Sequence, residues 1–256
     1  MYAEERQSSI ASEVRSRGRV SVADLAARFS VTGETVRRDL AILQRSGQLV
    51  RVHGGAVRPD VAAVVEEPDL AIREQSRRIE KTAIGVAALA LLPAAGGSVL
   101  IDAGTTTLQL ASAIHPDTRL TFITNSIQVG GVLAALPGSA VMLTGGRLRP
   151  TTGATVGADA VAMLSTVRAS VGFLGTNALS VGHGLSTPDA DEAAVKRAMI
   201  AACGTTVVLA DSSKINREEL VRFGTLDDID VVITDTGIDP GFVSELRAHD
   251  IEVVVA

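Results

Sequence analysis

The sequence has only one cysteine, Cys203, and therefore no internal disulfide. Cys203 follows the apolar run Met199–Ala202, which predicts a small core residue in a reducing compartment, and we expect the protein to be cytoplasmic. The first six residues lack the apolar run of a secretory signal. Histidine is also scarce, and the histidines are too dispersed to predict a metal centre: His53, His115, His183 and His249.

No charged residue occurs between residues 82 and 101, a stretch long enough to cross a bilayer. Pro93 and Gly96–Gly97 interrupt it, however, and a lipid-exposed break would leave backbone groups without hydrogen bonds. A helix ending near Leu92, a turn and a buried strand Val99–Asp102 explain the stretch better, so we expect no membrane partner. The sequence also lacks Gly-x-Gly-x-x-Gly and Gly-x-x-x-x-Gly-Lys, which leaves dinucleotide and nucleoside triphosphate sites unsupported, and we expect no cofactor.

Positive charge is concentrated near the N-terminus. Residues 1–58 carry ten arginines and six acidic residues, a net charge of +4, whereas residues 59–256 carry a net charge of −9. At 256 residues the chain is long enough for two domains. A basic N-terminal domain on an acidic body predicts a polyanion that contacts the N-terminal domain only.

Three N-terminal segments show helical periodicity, each with one apolar face. Ser21 is placed to cap the second helix and Thr32 to cap the third. Asp39 lies close to the apolar stripe of the third helix, so we expect it to pair with an arginine. Residues 48–52 then alternate as a strand and lead into His53–Val57, which predicts a wing-like hairpin. The apolar positions of the helices are Ile10 and Val14, then Val22, Leu25, Ala26 and Phe29, then Val36, Leu40 and Leu43.

A short helix, a tight turn and a second amphipathic helix with outward arginines predict a helix-turn-helix that binds duplex DNA. The blocks Val20–Phe29, Thr35–Leu40 and Arg51–Ala56 resemble, in order and spacing, the N-terminal domain of the DeoR family of bacterial transcription regulators. Gly33 departs from the family pattern, in which serine usually precedes the recognition helix. The alternative for the basic residues is a solvated face without a partner. The candidate DNA-binding residues are Ser21, Thr32, Thr35, Arg37, Arg38, Arg45, Arg51 and His53.

A linker is predicted at residues 58–69, which contain two prolines and no helical period. We therefore expect a winged helix-turn-helix domain over residues 1–58, a linker and connecting helix over 59–80, and a sensor domain over 81–256. A helix is predicted from Leu70 to Leu92, and we regard its first part as a route that couples the two domains.

From residue 98 onward, short β-rich runs alternate with helical segments, which predicts an α/β domain with a mostly parallel open sheet and helices on both faces. Most runs end in polar or glycine residues, and the carboxyl ends of such strands line ligand crevices. At Gly104–Thr107, backbone N–H groups, hydroxyls and a helix dipole converge on one point suited to a phosphate, although a simple helix cap has the same sequence. Lys214 at another strand end favours the phosphate. The runs begin at Ser98, Leu120, Ala140, Ser170, Thr206, Val231 and Ile251.

These blocks also resemble the sensor domain of the DeoR family, whose fold is similar to that of ribose 5-phosphate isomerase. The resemblance implies a phosphorylated sugar effector, with Gly104, Thr105, Thr106 and Thr107 on the phosphate and Lys214 adding a charge contact. His183 is either a further residue of the crevice or an exposed loop residue. Contacts to the sugar are implied for Asp102, Asn125 and Asp211, with Arg147, Thr176 and Asn177 as further candidates.

The blocks Leu174–Asn177, His183–Asp189 and Val221–Phe223 resemble the branch of the family associated with fructose operons, which implies fructose 1-phosphate as the effector. The resemblance implies a repressor of a carbohydrate operon that the effector releases from operator DNA. Because operators are read by paired DNA-binding domains, we expect a homodimer or homotetramer.

Two other functions stay open at this point. One is a sugar-phosphate isomerase-like enzyme, in which Asp102, Asp211 and Lys214 do the acid–base work. The other is a chromatin protein that binds DNA without regard to sequence. An isomerase has no need of a DNA-binding domain and the acidic body does not suit a chromatin protein, so we favour a regulator that is not an enzyme.

Overall fold

The computed structural model of the chain describes residues 3–17, 19–29, 31–45, 48–52, 55–57 and 70–256. The chain divides into two compact units, residues 1–67 (the N-terminal unit) and 68–256 (the C-terminal unit). Within the described ranges, no helix combines the length and the apolar character needed to cross a membrane.

The described part of the N-terminal unit contains three helices and a small antiparallel sheet. Its helices are α1 (Ala3–Arg17), α2 (Val22–Phe29) and α3 (Gly33–Arg45). Its strands are β1 (Arg19–Ser21), β2 (Val50–Val52) and β3 (Gly55–Val57), and β3 pairs with both of the others. The helix-turn-helix and the wing are therefore confirmed. Sequence reasoning missed β1, because three residues are too few to show a period.

The apolar faces of the three helices meet in one core. Ile10, Val14, Leu25, Val36 and Leu40 are each at most 1% exposed and belong to the same cluster. This is the packing expected when short amphipathic helices stabilise one another, since none of them is long enough to be stable alone.

Asp39 lies buried beside this core and pairs with an arginine, as predicted. Its Oδ2 accepts a hydrogen bond from Arg6 Nε at 2.6 Å, and its Oδ1 accepts one from Gln7 Nε2 at 2.8 Å. The hydrogen bond from Asp39 raises the pKa of the Arg6 guanidinium above its ordinary value. Because Arg6 and Gln7 belong to α1, the carboxylate ties α3 to α1.

The C-terminal unit is built on a sheet of seven parallel strands, which confirms the predicted α/β class. Each of the seven predicted β runs supplies one strand of this sheet. Two further groups of strands in this unit are antiparallel and were not predicted. The strands are β4 (Ser98–Ile101), β5 (Thr121–Thr124), β6 (Ala140–Leu143), β7 (Arg147–Arg149), β8 (Ala154–Val156), β9 (Ala169–Gly175), β10 (Ala178–Ser180), β11 (Gly184–Thr187), β12 (Cys203–Leu209), β13 (Val221–Gly224), β14 (Val231–Thr234) and β15 (Glu252–Val255). The order across the parallel sheet is β15-β14-β12-β9-β4-β5-β6. Of the antiparallel strands, β7 pairs with β8, and β11 pairs with both β10 and β13.

Helices cover both faces of the sheet, because alternate residues of the strands point to opposite sides. Leu100 and Leu174 belong to one hydrophobic cluster, and their neighbours Ile101 and Phe173 belong to the other. The helices are α4 (Leu70–Gln75), α5 (Arg78–Ala87), α6 (Thr105–Ala113), α7 (Ile127–Ala134), α8 (Ala158–Leu164), α9 (Ala190–Ala201) and α10 (Pro240–Ala248).

The prediction of a single helix from Leu70 to Leu92 is wrong, because the helix is interrupted between α4 and α5. Arg77 has the left-handed conformation, with φ of 52°. Its guanidinium donates to Ser212 Oγ at 2.9 Å and to Asp235 Oδ1 at 3.1 Å, and it lies 3.4 Å from Asp211 Oδ1. These long-range contacts offset the backbone strain, and no local sequence pattern reports them.

Gly85 on α5 lets this helix approach α6 closely. A Cβ atom there would lie 2.6 Å from the backbone nitrogen of Leu110, which is closer than real Cβ contacts. This close contact holds α5, which carries Lys81, against α6. A glycine that weakens an isolated helix is thereby explained by packing.

We predict that Cys203 is unreactive in the folded protein. Its side chain is buried beside Gly172, and burial raises the pKa of the thiol to about 12. Only about one thiol in 10,000 is then ionised at pH 8, and the thiolate is the reactive species. Titration with an aromatic disulfide reagent should release no thiol chromophore from the native protein and one equivalent after unfolding in guanidinium chloride. Fast release from the native protein would contradict the buried position.

Candidate functional site

A cavity of about 150 Å³ opens where the strand order of the sheet reverses. From β4 the chain proceeds outward to β5 and β6, then returns to the other side of β4 with β9 and continues to β12. The cavity is lined by residues that follow the carboxyl ends of β4, β9 and β12, among them Gly104, Thr176 and Asp211. Ligands of open α/β sheets bind at such reversal points.

The N-terminus of α6 forms one wall of the cavity. Gly104 is its N-cap residue, and no side chain that the structure describes caps this end. Thr105 and Thr106 line the cavity, whereas Thr107 is fully buried and donates its hydroxyl proton to the carbonyl of Gly104 at 2.9 Å. The first-turn N–H groups of a helix and its dipole together favour an anion.

Four cationic side chains from different elements line the same cavity: Arg73 on α4, Lys81 on α5, Lys196 on α9 and Lys214 after β12. Lys81 is 5% exposed and donates to the carbonyls of Arg73 and Ser76 at 2.5 and 2.7 Å. Burial lowers the pKa of both Lys81 and Lys214, and the carboxylate of Asp211 acts against this effect in each case. A bound anion would add to the effect of Asp211 and stabilise both ammonium groups.

Other predicted residues support the cavity from behind without lining it. Asp102 is fully buried, accepts a hydrogen bond from the N–H of Gly175 at 3.1 Å and pairs with Lys196. The side-chain oxygen of Asn125 accepts a hydrogen bond from the N–H of Ala103 at 2.8 Å. The first set of contacts ties the loop after β4 to the end of β9, and the second ties the same loop to the segment after β5.

Two predicted residues lie elsewhere in the C-terminal unit. Arg147 begins β7, is largely exposed and pairs with Asp191 at 2.7 Å. His183 lines a separate surface depression together with Asp227 and His249. The predicted residues that line the cavity are Gly104, Thr105, Thr106, Thr176, Asn177, Asp211 and Lys214.

Sequence reasoning missed several residues of the cavity, including Thr152, Glu192 and Lys196. Glu192 and Lys196 are four residues apart on α9, and both are buried. Charged residues on the buried face of a helix were the available signal, because such residues are rarely buried without a partner or a function. Lys81 was missed as well, because no local sequence pattern assigns it to the crevice.

In the N-terminal unit, the predicted capping contacts are present. Ser21 Oγ accepts a hydrogen bond from the N–H of Asp24 at 3.0 Å, and Thr32 Oγ1 accepts one from the N–H of Thr35 at 3.2 Å. The hydroxyls of Thr32 and Thr35 are also 3.0 Å apart. These residues begin α2 and α3 and thereby fix the turn between them.

The basic candidates of this unit are described only in part. Arg38 is exposed on α3. Arg37 and Arg45 belong to α3 and Arg51 to β2, but their side chains lie outside the described part of the structure, as does the whole of His53. Their predicted contacts with DNA stay predictions.

The two units together define a class of protein in which a winged helix-turn-helix is fused to an α/β domain with a cationic cavity. Residues 6–61 match the model of the DeoR-like helix-turn-helix domain, and residues 76–236 match that of the DeoR C-terminal sensor domain. The chain therefore belongs to the DeoR family of transcriptional regulators, and the resemblance noted in the sequence is confirmed.

Several curated relatives are similar over nearly their whole length. A putative aga operon transcriptional repressor of Escherichia coli O157:H7 is 33% identical, with 98% of this chain and 93% of the relative covered. The regulator GlpR of Haloferax volcanii is 37% identical, with 91% and 90% covered. The glycerol-3-phosphate regulon repressor of Haemophilus influenzae is 32% identical, with 98% and 96% covered.

Among solved structures, ribose 5-phosphate isomerase A of Neisseria gonorrhoeae is 16% identical, with a TM-score of 0.39 and with 53% of this chain and 52% of the isomerase covered. In the part of the chain that the structure describes, no group of three or more His, Cys, Asp or Glu side chains is arranged to hold a metal ion.

Proposed function

We propose that this protein is a repressor of a carbohydrate operon, and that a phosphorylated sugar bound in the cavity releases it from operator DNA. The observation that carries the proposal is the cavity at the strand reversal, where Arg73, Lys81 and Lys214 converge with the N-terminus of α6. In the same chain a winged helix-turn-helix supplies a DNA-binding unit. The names of relatives, which include repressors of the aga operon and of the glycerol-3-phosphate regulon, agree with this function.

For the N-terminal unit we propose that α3 enters the major groove. Thr35, Arg37 and Arg38 contact bases or phosphates there, and Arg45, Arg51 and His53 contact the backbone of the duplex. Ser21 and Thr32 contribute by fixing the first turns of α2 and α3. The net charge of +4 on residues 1–58 supports a polyanion partner.

For the C-terminal unit we propose that Gly104, Thr105 and Thr106 hold the phosphoryl group with Lys214, and that Asp211, Thr176 and Asn177 contact the sugar. Lys81 and Arg73 join the phosphate site. Asp102, Asn125 and Thr107 support these loops from behind. Asp102 Oδ1 is buried and has no hydrogen-bond partner among the described residues, which supports a hydroxyl or water contact when the effector is bound.

We further propose fructose 1-phosphate as the effector and at least a dimer as the DNA-binding species. Residues 1–58 bind DNA, residues 81–256 sense the effector, and residues 59–80 connect the two. The cavity touches this connection directly, because Ile72, Arg73 and Ser76 line it. A ligand in the cavity would therefore contact the segment that leads to the DNA-binding domain and shift the conformational equilibrium of that segment.

The test is an operator-binding titration with the full chain and the promoter DNA upstream of its own gene. Adding fructose 1-phosphate or another member of a phosphosugar panel should weaken binding by roughly 5- to 150-fold, the range of ordinary allosteric coupling. The same panel should raise the melting temperature of the protein, whereas the free sugars should not. If free sugars stabilise the protein and no phosphorylated sugar does, the proposed phosphate site is wrong.

A DNA-contact variant tests the other half of the proposal. Arg38→Ala should weaken operator binding by about 1–3 kcal/mol, with a smaller salt dependence if the lost contact is to a phosphate. Gln44→Ala is a matched control, because Gln44 is exposed on the same helix about 120° around its axis. Equal operator affinities for Arg38→Ala and the wild type would remove α3 from the interface.

The isomerase alternative has its own experiment. Turnover of several phosphosugars by the purified chain would favour an enzyme in which Asp211 and Lys214 act as acid and base. We expect binding without turnover.

A further inference from the structure

The break between α4 and α5 is anchored more firmly on the side of α5. There Arg77 is held by its contacts with the loops after β12 and β14. On the other side, all six residues of α4 are at least partly exposed, and none of them belongs to either hydrophobic cluster of this unit. Ile72, for example, is 62% exposed. A segment with so little apolar burial detaches at a small cost in free energy, and the break at Arg77 then serves as its hinge.

Lys81 of α5 holds the C-terminal end of α4. Its ammonium group donates hydrogen bonds to the carbonyls of Arg73 at 2.5 Å and Ser76 at 2.7 Å, at the end of a helix where carbonyls lack partners within the helix. Lys81 itself is 5% exposed and belongs to the helix that packs closely on α6. A further contact of α4, from Gln128 Nε2 to Glu74 Oε1 at 3.1 Å, lies in solvent, where water competes for both groups.

The same ammonium group faces a possible ligand, because Lys81 lines the cavity. An ammonium group has three protons, and the two carbonyls of α4 use two of them. One proton is therefore left for an anion in the cavity. Burial lowers the pKa of Lys81, and the neighbouring cations Lys214 and Arg73 act in the same direction. A phosphate among these groups favours the ammonium form and thereby strengthens its hydrogen bonds to α4.

The segment around α4 also forms part of the wall of the cavity. Ile72, Arg73 and Ser76 line it together with the N-terminus of α6. Detachment of α4 would remove this part of the wall and take two carbonyls away from Lys81. A ligand that contacts both elements therefore binds more tightly while α4 is in place, and it shifts the equilibrium of α4 toward the attached state.

We propose that α4 is a strap that closes on the occupied cavity, and that Lys81 couples closure to binding by holding the phosphate of the effector and the carbonyls of α4 at the same time. The proposal rests on the proposed function, because it assumes that a phosphorylated ligand binds in this cavity. Its direction is definite: the effector orders α4 and does not release it. In chain order α4 is the first described element after the wing, so its closure fixes the point at which the chain enters the body of the C-terminal unit.

The first experiment measures amide hydrogen exchange of the full chain by mass spectrometry. The probes, each at a saturating concentration, are fructose 1-phosphate and inorganic phosphate. Exchange at residues 74–76 should slow by roughly tenfold or more when a probe is bound, because these amides exchange when α4 detaches. The amides of α10 are an internal control, since no residue of this helix lines the cavity. Their exchange should change by less than about twofold.

The second experiment isolates the ammonium group. Lys81→Met keeps a side chain of similar length and removes all three N–H donors. Because this variant also binds the anion more weakly, it is compared with the wild type at saturating fructose 1-phosphate. The slowing of exchange at residues 74–76 should fall to less than about threefold. The factor by which the effector weakens operator binding should fall by roughly fivefold or more.

Arg78→Gln is the matched control for Lys81→Met. Arg78 is an exposed cation on the same helix and does not line the cavity. This variant should keep the wild-type values of both the exchange and the coupling to operator binding.

The inference is overturned if a bound probe leaves exchange at residues 74–76 unchanged or speeds it, or if Lys81→Met keeps the wild-type coupling. Exchange in the wild type decides by itself should Lys81→Met prove unstable. If neither probe binds the wild type in a calorimetric titration, the inference and the proposed function fail together. If fructose 1-phosphate binds and orders α4 without weakening operator binding, the strap stands and the proposed function alone fails.

Discussion

Replacing Lys214 by glutamine should produce a repressor that binds its operator normally and no longer responds to the effector. Lys214 lines the cavity beside Asp211 on the short turn that follows β12, and burial lowers the pKa of its ammonium group. A hydrogen bond to a charged partner contributes about 1.5–3 kcal/mol, so the affinity for the effector should fall by roughly 10- to 150-fold. The measurement is a calorimetric titration with the best phosphosugar, together with operator binding in its absence.

Arg217→Gln is the control for this variant. Arg217 is an exposed cation three residues further along, and it acts on Lys214 electrostatically without lining the cavity. The Arg217→Gln substitution removes the same unit of charge, but at a position where solvent screens the effect of that charge on the cavity. The affinity for the effector should therefore change by less than about threefold. If both variants lose the same affinity, the contribution of Lys214 is a diffuse charge effect and not a contact.

The sequence predicted the sheet well because its inner strands are largely buried on both faces. Runs such as Leu120–Thr124 and Thr206–Ala210 are β-rich and are bounded by polar residues. This pattern is local, so it can be recognised without knowledge of the tertiary structure. The polar ends of the strands also located the crevice, since parallel strands place all their carboxyl ends at one edge. The amphipathic helices of the N-terminal unit were predictable for the same local reason.

The charges of the cavity were less predictable because helices supply several of them. Lys81, Glu192 and Lys196 reach the strand ends from α5 and α9, and their positions depend on helix packing that a single sequence does not report. Asp102 and Asn125 show the converse: they follow strands as predicted, yet they turn inward to bind the backbone of neighbouring loops. The break at Arg77 depends on partners more than 130 residues away.

Replacing Asp39 by alanine should unfold the N-terminal unit and abolish operator binding while the C-terminal unit stays folded. Asp39 is 3% exposed and Arg6 is 8% exposed, so the variant leaves a buried guanidinium without its carboxylate. Removing one partner of a buried ion pair costs about 3–5 kcal/mol. A unit of this size has a total free energy of unfolding of roughly 3–10 kcal/mol, so most of its stability would be lost. Calorimetry should show a separate transition for residues 1–67 that moves to much lower temperature, with the other transition unchanged.

Two controls separate this effect from a loss of charge or of a DNA contact. Arg28→Ala breaks the ion pair of Arg28 with Glu13, whose length is 2.7 Å but whose arginine is largely exposed, and it should cost no more than about 1 kcal/mol. The double variant Arg6→Met/Asp39→Leu removes both charges from the buried site and should recover most of the lost stability, because apolar residues of similar volume often replace a buried pair without cost. Recovery of folding together with operator binding would show that Asp39 acts by joining α1 to α3. If Asp39→Ala melts like the wild type and still fails to bind DNA, Asp39 contacts the operator and its structural role is wrong.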